Sequence, residues 1–447
     1  MNFLVIGGDA AGMSAASRAK RNMPEMNVTV LEKTHDVSYS ACGMPYNIAV
    51  PEKAIEDLVV RQAQVFREKQ GINLLTGHRV ESIEPKEKRV AGVTYEGEKF
   101  EFPYDKLLIA TGGSPIVPDL PGFDLPGVLV LKNLDHGRKI KAYMDEHPVK
   151  KAVIIGMGYI GLEMCEALRA RAMEVAMVKP NLNFIPWMPD ELSDEVQKEA
   201  AANGVALHMG HSVRKIERAN SSLAVVCEDM TLEADMVIVA IGITPNNELA
   251  IKAGLETSVK KAIAVDRMLK TSDENIYAAG DCADAYHVVT GEKTWIPLAL
   301  RANRAGWAVA DNICGSQMEL DGVAGTSVFK VFELEIARTG LTLKESKESG
   351  FDPADIVIKS RSRAHAHPGS TTIYVHLIGD IKTGRLLGAQ MVGKEGVAHR
   401  ISAAAVALHN KMTVERFSQT DFAYAPPFGP VWDPLLTAAN QLLKKMP

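Results

Sequence analysis

The chain has 447 residues, 46% hydrophobic and 23% charged, with a formal net charge of −5. That length exceeds one ordinary core and suggests about three domains of a soluble globular protein. The acidic balance leaves no basic footprint for nucleic acid, and no run of about 18 apolar residues suggests a membrane span. The five cysteines, at 42, 165, 227, 282 and 314, contain no Cys-x2-Cys pair. Neither a metal site nor a secreted disulfide framework is therefore expected.

The N-terminal stretch from Phe3 to Ala16 is apolar and small but has no charged leader. It reads as a strand, a glycine turn and a helix rather than a signal peptide, which places the protein in the cytoplasm. The turn is Gly7-Gly8-Asp9-Ala10-Ala11-Gly12, and its helix is expected to run through Arg21. Asp9 stands where the middle glycine of G-x-G-x-x-G would be. The strand Val28 to Glu32 follows, putting an acid twenty residues after Gly12. At that distance an acid meets a ribose hydroxyl pair in a dinucleotide-binding unit.

A second unit, Ala152 to Gly161, fits the fingerprint in full through Gly156-Met157-Gly158-Tyr159-Ile160-Gly161. Glycines there permit a tight turn and let backbone N–H groups and a helix N-terminus approach a pyrophosphate. A helix is expected from Leu162 to Arg171, then the strand Glu174 to Val178. Lys179 follows in place of an acid. A lysine can attract the 2′-phosphate of NADP, or it can simply end a strand in solvent. Two such units in one chain imply two dinucleotides.

Three further segments complete a pattern. Tyr104 to Gly113 is a strand running into a glycine turn through Ala110, Thr111 and Gly112. Ala234 to Asn246 repeats it through Gly242, and Thr271 to Asp281 ends in Gly280-Asp281. With these in place the chain resembles the pyridine nucleotide–disulfide oxidoreductases. The resemblance implies an α/β fold with two Rossmann-like dinucleotide-binding domains, for FAD and NAD(P), plus a C-terminal α+β dimerisation domain. It divides the chain into an FAD-binding part (1–115), an NAD(P)-binding domain (116–245), a second FAD-binding part (246–324) and the dimerisation domain (325–447). It assigns the FAD ribityl chain to Asp281. It also adds Lys33, Val80, Pro297, Leu298, Ala299 and Ala302 to the cofactor residues. Tyr159 resembles the family's aromatic gate over the nicotinamide site, and Glu163 the acid at the nicotinamide end. The alternatives are a packed ring and a helix-surface charge.

Within the family, Cys42 in Ser38-Tyr39-Ser40-Ala41-Cys42-Gly43-Met44-Pro45-Tyr46 points to the single-cysteine branch. Flavin-dependent disulfide reductases usually carry Cys-x4-Cys here, but the second position is Asn47. A lone thiol cannot form its own disulfide, so its oxidised state is a mixed disulfide, a persulfide or a sulfenic acid. The branch includes coenzyme A disulfide reductases, persulfide or polysulfide reductases, NADH oxidases and NADH peroxidases. Met44-Pro45 is expected to open a helix whose N-terminus lowers the Cys42 pKa. Cys282 is expected to be a packed residue, with a redox role as its alternative.

The implied function is transfer of electrons from NAD(P)H through FAD and Cys42 to a disulfide, persulfide or polysulfide, as in coenzyme A disulfide reductases. Oxidase or peroxidase chemistry is the enzymatic alternative; a redox-sensing flavoprotein without turnover is the other. Ala10 replaces the histidine that oxidase and peroxidase members carry. Ser14, Arg18, Arg21, Ser38 and Asn303 match positions that hold coenzyme A, Arg18 and Arg21 lying on one helix face. A homodimer is implied, with Tyr424 of one subunit completing the other's site. Three departures bear on that side: Ala41 before the cysteine, Trp432 for a usual lysine, and Ala366-His367 for a Tyr-Tyr pair. His365 or His367 is a candidate replacement acid.

Overall fold

Two parallel sheets, built on the same plan, place the two glycine turns. The computed structural model describes residues 1–220 and 222–446. In the first sheet the strand Asn2–Ile6 lies between Asn27–Glu32 and Lys106–Ile109. Asn73–Thr76 and Ile276–Ala278 close its edges. The second has Lys151–Ile155 between Glu174–Lys179 and Met236–Val239, with Val205–Met209 and Val128–Val130 outside. Strands of this kind are buried on both faces, hence the near-continuous Val, Ile and Leu runs in place of alternation. The first sheet recruits its fifth strand from far along the chain, so the first dinucleotide domain is discontinuous.

Each central strand ends in a turn that opens a helix, Ala10–Asn22 in one unit and Tyr159–Ala170 in the other. The second helix begins three residues before the expected Leu162, because Gly158 serves as its N-cap. Gly7 and Gly156 adopt φ values of 110° and 108°, a region that only glycine enters without strain. Their N–H groups donate to Leu31 and Val178 carbonyls at 2.9 Å each, so the two turns are built alike.

The C-terminal part is a five-stranded antiparallel sheet in the order Ser327–Val331, Leu334–Gly340, Leu386–Gly393, Thr372–Asp380, Pro353–Arg361. The helices Val397–His409 and Pro434–Leu443 pack on it. Met44, Leu134, Ile154, Phe329 and Val392 share one apolar core, which locks the cysteine segment, the second sheet and the antiparallel sheet together. Among the described residues no helix is long and apolar enough to cross a membrane, and no cluster of metal-ligating side chains occurs.

Candidate active site

A continuous cavity of about 2730 Å³ runs between the two glycine turns and reaches Cys42. Of the residues expected to hold cofactor or substrate, Gly12, Gly161 and Arg18 lie outside its walls; the rest line it. The first two glycines serve the turns. A Cβ on Gly12 would sit 1.9 Å from the Gly7 carbonyl oxygen, and one on Gly161 would sit 2.7 Å from that of Gly156. A Cβ on Gly158, by contrast, meets nothing within 4 Å. That freedom is not needed for packing, and it suits the close approach of a diphosphate.

The residues at the first turn fit a flavin dinucleotide. Glu32 is buried at the end of its strand; its Oε2 accepts the Gly8 N–H at 2.7 Å and its Oε1 the Thr34 N–H at 2.7 Å. A carboxylate has further lone pairs for ribose hydroxyls. Asp281 lies across the cavity, where Lys132 Nζ donates to its Oδ2 at 2.8 Å. Asp9 adds a third carboxyl. It is the N-cap residue of Ala10–Asn22, yet its side chain does not cap the helix. Burial first, then the neighbouring charges of Glu32 and Asp281, raise its pKa to about 6 against the opposing pull of Tyr39 N–H and Lys132.

At the second turn Tyr159 sits in an aromatic cluster, its ring 4.7 Å from that of Phe329 and 6.2 Å from that of Trp187. Its hydroxyl lies 3.2 Å from Ser327 Oγ on the antiparallel sheet. Glu163, one turn into the helix, is no surface charge: it lines the cavity and accepts a hydrogen bond from Tyr46 Oη at 3.1 Å. Burial holds its carboxyl above the usual range.

Lys179 corrects the expectation of a phosphate ligand. The residue is buried, and Nζ donates to the Asn183 and Phe184 carbonyls at 2.6 and 3.0 Å. The ammonium thus staples the loop after its strand, and burial lowers its pKa. The residue is neither the solvated strand end nor a free cation.

Cys42 occupies a single 3-10 turn, Ala41–Gly43, directly before the helix Met44–Ile48. The helix starts where Pro45 allows it, but it has only five residues and does not dominate the thiol's environment. Burial, then the Glu163 carboxylate, push the thiol up; Lys132 pulls the other way. The protein groups around the thiol thus act, in balance, against the expected lowering. Asn47, at the place of a second cysteine, is buried and donates through Nδ2 to the Ala54 carbonyl at 2.7 Å. Cys282 is fully buried, its Sγ within 3.3 and 3.4 Å of the Ala279 and Ile109 carbonyls. It packs, and burial raises its pKa.

On the substrate side Ser14 Oγ donates to Asn303 Oδ1 at 2.7 Å, and Arg21 and Ser38 line the cavity. Arg18 does not present its charge there. Its Nε and Nη2 engage Asp311 at 2.8 and 3.0 Å in a bidentate pair. Tyr424 is exposed outside this chain's cavity, in a segment that also exposes Phe428, Val431 and Trp432. His365 and His367 lie in a surface loop, where His367 Nδ1 contacts the Pro368 carbonyl at 3.0 Å. Neither reaches the cavity of its own chain. Sequence reasoning missed Lys132, Tyr46 as partner of Glu163, Asp9 as a half-buried acid with a raised pKa, and Arg61 in the cavity wall. Only Asp9, a charge at a glycine position, left a local signal.

Residues 1–306 match the family model described as pyridine nucleotide-disulphide oxidoreductase, and residues 326–434 match that family's dimerisation domain. The chain belongs to this family. It is 39% identical over 442 residues to the NAD(P)H sulfur oxidoreductase (CoA-dependent) of Pyrococcus furiosus, covering 98% of each chain. It is 34% identical to an NADH oxidase of Methanocaldococcus jannaschii, covering 100% of this chain and 99% of the other. The solved structure of an NAD-dependent persulfide reductase from A. fulgidus superposes with a TM-score of 0.96 at 37% identity. It covers all of this chain and 83% of that one. As a family member the chain is an oxidoreductase that uses FAD and NAD(P)H, built on the two cradles described above.

Proposed function

We propose that the protein reduces disulfide, persulfide or polysulfide sulfur with electrons from NAD(P)H, with coenzyme A or its sulfur derivatives as the thiol partner. The observation that carries this reading is a single thiol, Cys42, open to one cavity that both dinucleotide turns also line, with asparagine where a second thiol would stand. Gly7, Gly8, Glu32 and Asp281 would hold FAD, which when bound would supply at Cys42 the electron pair drawn from NAD(P)H. Gly156, Gly158 and the helix start at Tyr159 hold the nicotinamide dinucleotide, with Tyr159 covering its site until it arrives.

Cys42 as thiolate attacks one sulfur of the acceptor. The acceptor's S–S bond breaks, one thiol leaves with a proton, and the other half stays on Cys42 as a mixed disulfide. Two electrons and a proton then release the second thiol and restore Cys42. Lys132 offsets the negative charge that Glu163 brings to this thiolate. A homodimer completes the site through Tyr424, in line with the exposed large hydrophobic side chains of residues 424–432. The relative named NADH oxidase keeps sulfenic-acid chemistry as a second reading. Ala10 in the cavity wall, where oxidases place histidine, weighs against it. Cys42→Ser is the test. Sulfur-dependent turnover falls to background while NAD(P)H-dependent bleaching of the flavin persists; retained turnover contradicts the reading.

A further inference from the structure

The helices Ala10–Asn22 and Ala299–Ile313 lie side by side and meet in a ladder of polar contacts. Ser14 meets Asn303, and Arg18 and Asn22 both bond to Asp311. Between the rungs sits Trp307. It is 47% exposed and lines the same cavity as Cys42. Packing alone does not account for so large an apolar ring at a cavity wall, since its neighbours Ala308, Val309 and Ala310 supply the helix's buried face. The Arg18 guanidinium, although still partly open to solvent, is clamped by Asp311 with its Cζ 5.7 Å from the centre of the Trp307 ring. Asp311 is itself buried and also accepts from Asn22 Nδ2 at 2.7 Å, so the clamp is anchored from both sides. Arg21, one turn along from Arg18, lines the cavity close by.

We propose that Trp307 is the stacking platform for the purine base of a coenzyme A-type substrate, with Arg18 the positioning residue behind the ring and Arg21 the cation for its phosphates. This rests on the reading that coenzyme A is the thiol partner. A ligand whose sulfur reaches Cys42 must lay its distal nucleotide elsewhere in the cavity, and this wall offers a flat aromatic face beside polar and cationic groups. An aromatic ring takes a base through its π-face whatever the base's edge pattern. A guanidinium held against the ring by cation–π attraction fixes the ring's orientation in advance, which lowers the ordering cost of binding. Inorganic polysulfide has nothing to stack, so the platform separates nucleotide-borne sulfur from free sulfur.

The test compares two thiols on the FAD-loaded enzyme by calorimetry: coenzyme A, and pantetheine, which lacks the nucleotide. Wild type binds coenzyme A more tightly. In Trp307→Ala that affinity drops about tenfold, the scale of a lost base stack, while pantetheine binding is unchanged. Trp307→Phe keeps most of the affinity. Arg18→Gln weakens coenzyme A alone, and Arg18→Lys, which retains a cation behind the ring, restores part of the loss. If wild type prefers coenzyme A but Trp307→Ala binds it equally well, the platform is wrong and the substrate reading stands. An equal loss for both thiols likewise overturns the platform. If wild type shows no preference for coenzyme A, both readings fall.

Discussion

Two charges govern how readily the Cys42 thiol ionises: the Glu163 carboxylate opposes it and the Lys132 ammonium favours it. With burial, the balance leaves the thiol above the ordinary cysteine range, so thiolate and reactivity increase as pH rises. Alkylation of Cys42 by a neutral reagent is therefore expected to show a midpoint above that of a free thiol. Glu163→Gln moves this midpoint down, and Lys132→Met moves it up. Opposite or absent movement means these groups do not face the thiol. Asp9 provides a second, independent sign. Its folded-state pKa of about 6 exceeds the unfolded value, so the folded chain holds the extra proton in between. Asp9 therefore costs no stability at low pH, and folding stability falls as pH rises toward and through 6. Asp9→Asn is expected to stabilise the flavin-free protein by about 1–3 kcal/mol at pH 7, and the gain vanishes below about pH 4. Denaturant melts at both pH values measure it.

The glycines of the two turns divide into those the fold needs and those a ligand needs. Gly12→Ala pushes a methyl against the Gly7 carbonyl oxygen, so the strand–helix packing opens and the purified protein loses FAD. Gly158→Ala meets no protein atom. That variant is expected to keep its fold and flavin content, and to raise KM for NAD(P)H severalfold. Equal damage from both substitutions contradicts this division. The same distinction explains what could be read from the sequence. Strand, turn and helix lie within a dozen or so residues of one another, so both cradles, their glycines and Glu32 were legible as local pattern. Tyr46–Glu163, Lys132–Asp281 and Arg18–Asp311 join residues 117, 149 and 293 apart. No local pattern encodes such pairings, which is why Arg18 reads as a coenzyme A ligand and Lys132 gives no signal. Lys179 was misread for a different reason: the carbonyls it serves lie four and five residues on, in a loop without periodicity.

At the scale of the whole molecule, the antiparallel sheet and its C-terminal segment leave Tyr424, Phe428, Val431 and Trp432 uncovered, between 48% and 78% exposed. Burying such side chains is worth about 1.5–3 kcal/mol each, which favours association of two copies. Trp432→Glu with Phe428→Asp is expected to shift sedimentation from dimer to monomer. In the monomer sulfur-dependent turnover is lost, while reduction of the flavin by NAD(P)H survives, because both dinucleotide turns belong to one chain. A monomeric variant with full sulfur turnover would show that the partner contributes nothing to the site.

On the proposed reading, electrons leave this enzyme through Cys42 to sulfur. The most direct measurement is anaerobic: reduce the FAD-loaded protein with NAD(P)H, then mix it separately with coenzyme A disulfide, polysulfide and hydrogen peroxide while following the flavin. The account predicts reoxidation by a sulfur acceptor at the rate of turnover, and none in Cys42→Ser. Reoxidation by peroxide or oxygen alone would contradict it and make the alanine at position 10 a poor guide to the chemistry.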